Sequence, residues 1–127
     1  MKRSQTLIKL SREHHSALVL ARRAKKSIPG STALAQLMAD FPARWNNELT
    51  PHFAEEERTL LPRILAEGPN RLADRLTQDH ARLRALSASI VVGESGALAE
   101  FGKLLSDHVH FEEHELFPYY EQLIGEH

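Results

Sequence analysis

A chain of 127 residues, 42% of them apolar and with a net charge of −1, is expected to form one domain with its own core. Lysine and arginine are mixed among the acids, so there is no basic stripe to suggest nucleic acid, and the lack of cysteine excludes disulfides, thiolate zinc sites and iron–sulfur ligation. No segment reaches the ~18 apolar residues of a membrane span, and MKRSQTLIKLSREHH lacks the apolar run of a signal peptide, which makes a soluble cytoplasmic protein the expectation.

In chain order, Leu7, Leu10, His14, Ala17, Ala21, Ala24 and Ile28 recur at spacings of three and four, the inward stripe of a first helix. Ser4 is its expected N-cap and Pro29-Gly30 its stop; Ser31 or Thr32 can cap the next. The second helical stretch runs from about 32 to 66 on Leu34, Leu37, Met38, Phe41, Trp45, Leu49, His52, Glu56 and Leu60. Pro42 and Pro51 are expected to kink or break it, since each removes a backbone donor. Gly68-Pro69-Asn70 ends it. The third, from about 71 to 91, carries Leu72, Leu76, His80, Leu83, Ser87 and Ile90. After the turn Gly93-Glu94-Ser95-Gly96, the fourth runs from about 97 to 123 on Leu98, Phe101, Leu105, His108, Glu112 and Leu116. No run alternates apolar with polar, so no strand is expected. The predicted fold is all-α: an up-down-up-down antiparallel four-helix bundle, with residues 1–127 as a single domain.

One motif occurs twice. HFAEEERTLLP at 52–62 and HVHFEEHELFP at 108–118 share a His (His52, His108), a Glu four residues on (Glu56, Glu112), a second Glu, a Leu and a Pro. Residues four apart share a helical face, so each copy aims an imidazole and a carboxylate the same way. With His14 and His80 inside the other two stripes, the interior collects four imidazoles and two carboxylates. A lone inward histidine is most simply a hydrogen-bonded core residue. Two carboxylates in one low-dielectric core need a cation. Two divalent ions, each with two imidazoles and both bridged by Glu56 and Glu112, use all six groups and would sit roughly 3.5–4 Å apart. His14 fits the first stripe better than its neighbour His15, but His15-Ser-Ala-Leu18 parallels His80-Ala-Arg-Leu83, which keeps His15 a second candidate. Glu55, Glu57 and Glu113 read as solvated charges, with Glu113 the alternative bridge. The Glu-x-x-His of ferritin-like bundles is absent. His110-Phe111-Glu112-Glu113-His114 has the order of an inverzincin protease, but His110 and His114 lie round the helix toward solvent.

On SREHHSALVLARR, HFAEEERTLLP, DHARLRAL and HVHFEEHELFP, the chain resembles the hemerythrin superfamily, and within it the bacterial His–His–Glu cation-binding branch. The resemblance spans almost the whole chain and implies a four-helix bundle around a non-haem di-iron centre. It implies small ligands such as O2, NO or peroxide, or the handling of iron, with no nucleic-acid or membrane partner. Oxygen carriers of the family add a second histidine one turn from the one on the third helix. Here Leu76 and Arg84 stand there, so the pattern is more similar to the iron-centre repair proteins, with two histidines per iron. Imidazole and carboxylate also accept manganese and zinc. Alternatives are a reversible O2-binding or sensing module and a metal-free helical interaction protein. No separate acid, base or nucleophile supports turnover of an organic substrate.

Overall fold

The computed structural model describes residues 4–125. Six α-helices follow one another: α1 (Gln5–Lys25), α2 (Thr32–Arg44), α3 (Thr50–Leu65), α4 (Arg71–Val91), α5 (Leu98–Phe111) and α6 (Phe117–Gly125). Among the described residues there is no strand, and no helix is long and apolar enough to cross a membrane. Side-chain caps start three helices. Ser4 Oγ accepts from the Leu7 N–H (3.2 Å), Ser31 Oγ from Leu34 (3.1 Å), and Asn70 Oδ1 from Leu72 and Ala73 (2.8 and 3.2 Å).

The prolines do not break the second stretch. α2 runs on into α3 through one turn of π-helix, Trp45–Leu49, and α5 into α6 through another, Glu112–Leu116. Each π turn ends two residues before a proline, Pro51 or Pro118. A proline ring offers no N–H to the carbonyl four residues back and crowds it. The wider turn relieves this: Thr50 N–H bonds Trp45 and Phe117 N–H bonds Glu112, five residues back. Pro42 and Pro62 are carried inside α2 and α3. Four rods therefore result: α1, α2–α3, α4 and α5–α6. The first stops earlier than its stripe suggested. α1 ends at Lys25, and Ile28 is 66% exposed. The chain has left the helix before Pro29-Gly30, so the 3.6-residue period no longer directs Ile28 inward.

The core falls into two apolar halves. One gathers the C-terminal half of α1 (Ala17, Leu20, Ala21, Ala24), α2, the first π turn and the start of α3 (Leu37, Phe41, Leu49, Phe53), the end of α4 (Leu83, Ile90) and most of α5 (Leu98, Phe101, Leu105). The other gathers the opposite ends: Leu7 and Leu10, Leu60 and Ile64, Leu72 and Leu76, Phe111, Leu116 and Phe117. Starts of rods meet ends of their neighbours, the signature of an antiparallel up-down-up-down bundle. All five phenylalanines are buried, each removing a side chain worth about 1.5–3 kcal/mol from water. α1 and α5 approach closely at Gly102, where a Cβ would lie 2.6 Å from the Ala21 carbonyl oxygen.

Candidate metal centre

Between the two apolar halves lies a layer of His14, His52, Glu56, His80, His108 and Glu112, each at most 4% exposed. α1 supplies His14, α3 supplies His52 and Glu56, α4 supplies His80, and α5 supplies His108, with Glu112 opening the second π turn. The Nε2 atoms converge on the two carboxylates. His14 Nε2 is 2.8 Å from Glu112 Oε1 and His80 Nε2 is 3.0 Å from Glu56 Oε1. His52 Nε2 is 3.1 Å from Glu56 Oε2, and His108 Nε2 is 3.1 Å from Glu112 Oε2. Two overlapping groups of donors result: His14, His52, Glu56 and Glu112; and Glu56, His80, His108 and Glu112. In each, ligand atoms lie within 4.8 Å of one another.

The outer nitrogens are gripped as well. Each Nδ1 meets a carboxylate from the neighbouring rod: His52 meets Glu13 (2.8 Å), His80 meets Glu57 (2.7 Å), His108 meets Asp79 (2.8 Å) and His14 meets Glu113 (2.6 Å). Most of these acids are held in turn by a cation. Arg84 forks onto Glu57 (2.8 and 3.0 Å), Arg75 reaches Asp79 (3.4 Å) and Lys9 reaches Glu13 (3.3 Å); Ser11 Oγ donates to Glu113 (2.8 Å). An imidazole whose Nδ1–H is given to a carboxylate presents the lone pair of Nε2 inward, the tautomer a metal needs. Phe53 stacks on His80 (centroids 4.1 Å apart) and Phe117 on His14 (5.5 Å), closing the layer to water.

A cation fits this donor set. Glu56 Oε2, Glu112 Oε2 and His108 Nε2 are buried without a hydrogen-bond partner, although the last two are neighbours. Their approach lacks hydrogen-bond alignment, whereas both can point at a third atom. Among the protein's own groups, the charge balance falls to protons. Burial works against charging His52, but the carboxylates of Glu112 and Glu56 beside its Nε2 outweigh it and raise it to about 11. His108 is raised to about 10 against its own burial, by the Glu112 charge and its bond to Asp79. Burial and the charge of Glu112 push Glu56 up; Glu112 is held low against burial by His108. Glu57 is lowered, its Arg84 fork outweighing desolvation. The layer thus attracts positive charge wherever it comes from.

A family model, the hemerythrin HHE cation-binding domain, matches residues 6–120. The chain belongs to the hemerythrin HHE cation-binding family. No curated protein and no solved structure matches it. The family implies a bound cation, and the two donor groups of the layer are candidates to hold it. Of the residues singled out from this HHE sequence, His14, His52, Glu56, His80, His108 and Glu112 come together, while His15 is exposed on α1 and joins neither donor group. Glu113 faces the outer nitrogen of His14 and Glu57 that of His80, so neither is merely a solvated charge. Glu55 does pair at the surface, with Arg58 (2.7 Å). Glu13 and Asp79 escaped the sequence reading altogether. Their signal is adjacency: each outer acid is next in sequence to an inward ligand, but serves a histidine of another rod.

Proposed function

We propose that the chain holds two iron ions, His14 and His52 on one, His80 and His108 on the other, with Glu56 and Glu112 bridging both. We further propose that this centre meets small ligands such as O2, NO or peroxide. The observation carrying this reading is the sharing of the two buried carboxylates between two separate pairs of Nε2 atoms. Mixed nitrogen and oxygen donors suit iron, and they also accept manganese and zinc. When bound, iron supplies coordination positions for small ligands and one-electron chemistry. The chain's own residues do the rest. Glu13, Glu57, Asp79 and Glu113 fix the imidazole tautomers, and Phe53 and Phe117 keep bulk water out. A cavity of about 160 Å³, bounded by Glu13, Ser16, Arg44, Glu48, Leu49 and His52, gives a small molecule an approach to the His52 side. The Ser16–Glu48 hydrogen bond, from α1 to the first π turn, crosses between its walls. The reading takes the chain as a single cytoplasmic unit with diffusible ligands rather than nucleic acid or membrane.

Metal analysis and an optical spectrum of protein purified without tag or chelator test it. Two irons per chain and the spectrum of a coupled pair are expected, and Glu56→Gln should lose at least one ion. A wild-type chain with no tightly held metal overturns the reading. A visible band that comes with O2 and goes on evacuation would assign reversible O2 carriage instead.

A further inference from the structure

The surface charges are unevenly matched. Among the described residues every lysine and arginine pairs with a carboxylate except Arg12, Arg22, Lys25 and Lys26. All but Arg12 lie at the C-terminal end of α1. Lys25 Nζ donates to Ser106 Oγ (3.0 Å), an uncharged partner. Arg22 and Lys26, one turn apart, are exposed and have no partner among the described residues. Asp40 is taken by Arg23 (3.0 Å), and Glu94, exposed in the turn between α4 and α5, pairs with neither. Cations in a last turn favour the helix dipole, but α4, of the same 21 residues, ends without one. The dipole alone therefore does not account for the cluster.

The most exposed large apolar side chains stand at the same end of the bundle. Ile28 follows α1 at 66% exposure, and Val92 follows α4 at 76%, with Val91 beside it. Ser27 joins the two features. It lines a groove of about 420 Å³ with Arg22, Arg23, Lys26 and Gln36, and a second groove with Pro29, Leu34, Ser95 and Gly96. The basic groove thus runs into a cleft between the two loops that carry the aliphatics. A free inorganic anion would leave Ile28 and Val92 in water. Two copies of the chain packed on a two-fold axis here would set the basic patch against itself, and like charges oppose that contact. A flat lipid surface would span the groove rather than enter it.

We propose that this end of the bundle docks a partner protein through an acidic segment bearing aliphatic side chains. Its carboxylates meet Arg22 and Lys26, and its apolar face covers Ile28 and Val92. The proposal does not depend on the buried metal centre. The probe is a fluorescein-labelled peptide of glutamate and leucine in amphipathic helical order, with a lysine-for-glutamate peptide as control; fluorescence anisotropy reads binding to the full chain. The acidic peptide should bind and the basic one should not, with affinity falling as salt rises from ~50 to ~200 mM. Binding should be several-fold weaker in Arg22→Ala/Lys26→Ala and in Ile28→Ser/Val92→Ser, whose changes are confined to exposed side chains. Arg12→Ala, which removes the exposed unpaired cation elsewhere on α1, should bind as the wild type does. Carbodiimide should join the peptide to Lys25 or Lys26, located by mass spectrometry. No binding, cross-links elsewhere, or equal loss in Arg12→Ala overturns the proposal. Binding to phosphatidylserine vesicles without binding to the peptide would assign a lipid surface instead. A dimer lost in Ile28→Ser/Val92→Ser would assign a second copy, and either result overturns it.

Discussion

At the scale of single residues, the orientation of each histidine is set from behind. A free imidazole exchanges its two tautomers, and only the form with Nε2 unprotonated can bind a cation inward. Asp79 holds His108 in that form while 14% of its side chain is exposed, so it can be changed without opening the core. Asp79→Asn keeps an acceptor oxygen but removes the charge that makes the imidazole a better donor. We expect about 10- to 100-fold weaker metal binding, with the helical content and the fold unchanged. Competition with a chelator of known strength measures it; an unaltered affinity would remove Asp79 from the centre. Arg84 illustrates a sequence position whose partner was hidden. One turn from His80, it reads as a surface cation, yet it forks onto Glu57, the acid behind His80. Its role depends on which rod packs beside α4, and local spacing carries no information about that.

At the scale of elements, two local departures from α geometry shape the bundle. The π turn at Glu112–Leu116 follows from Pro118 and begins at a central carboxylate, so the helical widening and the placement of Glu112 and Glu113 have one cause. The close crossing of α1 and α5 depends on Gly102. Alanine there would place a methyl 2.6 Å from the Ala21 carbonyl oxygen and 2.9 Å from the Lys25 backbone nitrogen, both main-chain atoms that cannot rotate away. Alanine gains up to about 1 kcal/mol of helix propensity over glycine, whereas overpacking costs about 1–3 kcal/mol. The clash should win: Gly102→Ala is expected to lower stability in chemical denaturation. Gly96→Ala, where an added Cβ meets nothing within 4 Å, is the matched control. A Gly102→Ala chain as stable as the wild type would show that the two rods yield at no cost.

At the scale of the whole molecule, the outer acids make a closed circuit. Glu13 of α1 grips His52 of α3, Glu57 of α3 grips His80 of α4, Asp79 of α4 grips His108 of α5, and Glu113 beyond α5 grips His14 of α1. Every rod is tied to the next through the layer that separates the two apolar halves. Stability should therefore follow the charge state of that layer. In a chain stripped by chelation, His52 and His108 are raised from 6.5 to about 11 and about 10. A raised folded value means a contribution fully present below pH 6.5 and lost as pH climbs through 10 to 11. Glu56, raised by burial, acts in the same direction. The stripped chain should lose about 1.4 kcal/mol per pH unit for each extra proton it holds when folded. The metal-loaded chain should gain stability from pH ~5 to ~7, because protons compete for the imidazoles below about 6.5. Thermal unfolding of both forms across pH measures the divergence; parallel curves would mean the layer takes no part in holding the bundle.

Much of this protein is written in local periodicity. Stripes of three and four residues define the rods, Ser4, Ser31 and Asn70 begin helices as their chemistry dictates, and the two His-x-x-x-Glu repeats aim the central ligands, because one helical turn relates their positions. The separation of His14 from His15 follows the same rule: 100° of helical rotation puts one in the layer and the other in water. Packing between rods decided the rest. Which acid stands behind which histidine, the fork of Arg84 and the contact at Gly102 are relations between rods, the acids and their histidines standing 23 to 99 positions apart, as with Glu57 and His80 or Glu113 and His14. The continuity of the rods through Pro51 and Pro118 was also settled in three dimensions. A proline forbids one hydrogen bond, and whether the chain then breaks or widens into a π turn depends on whether the helices beyond it still have a core to bury.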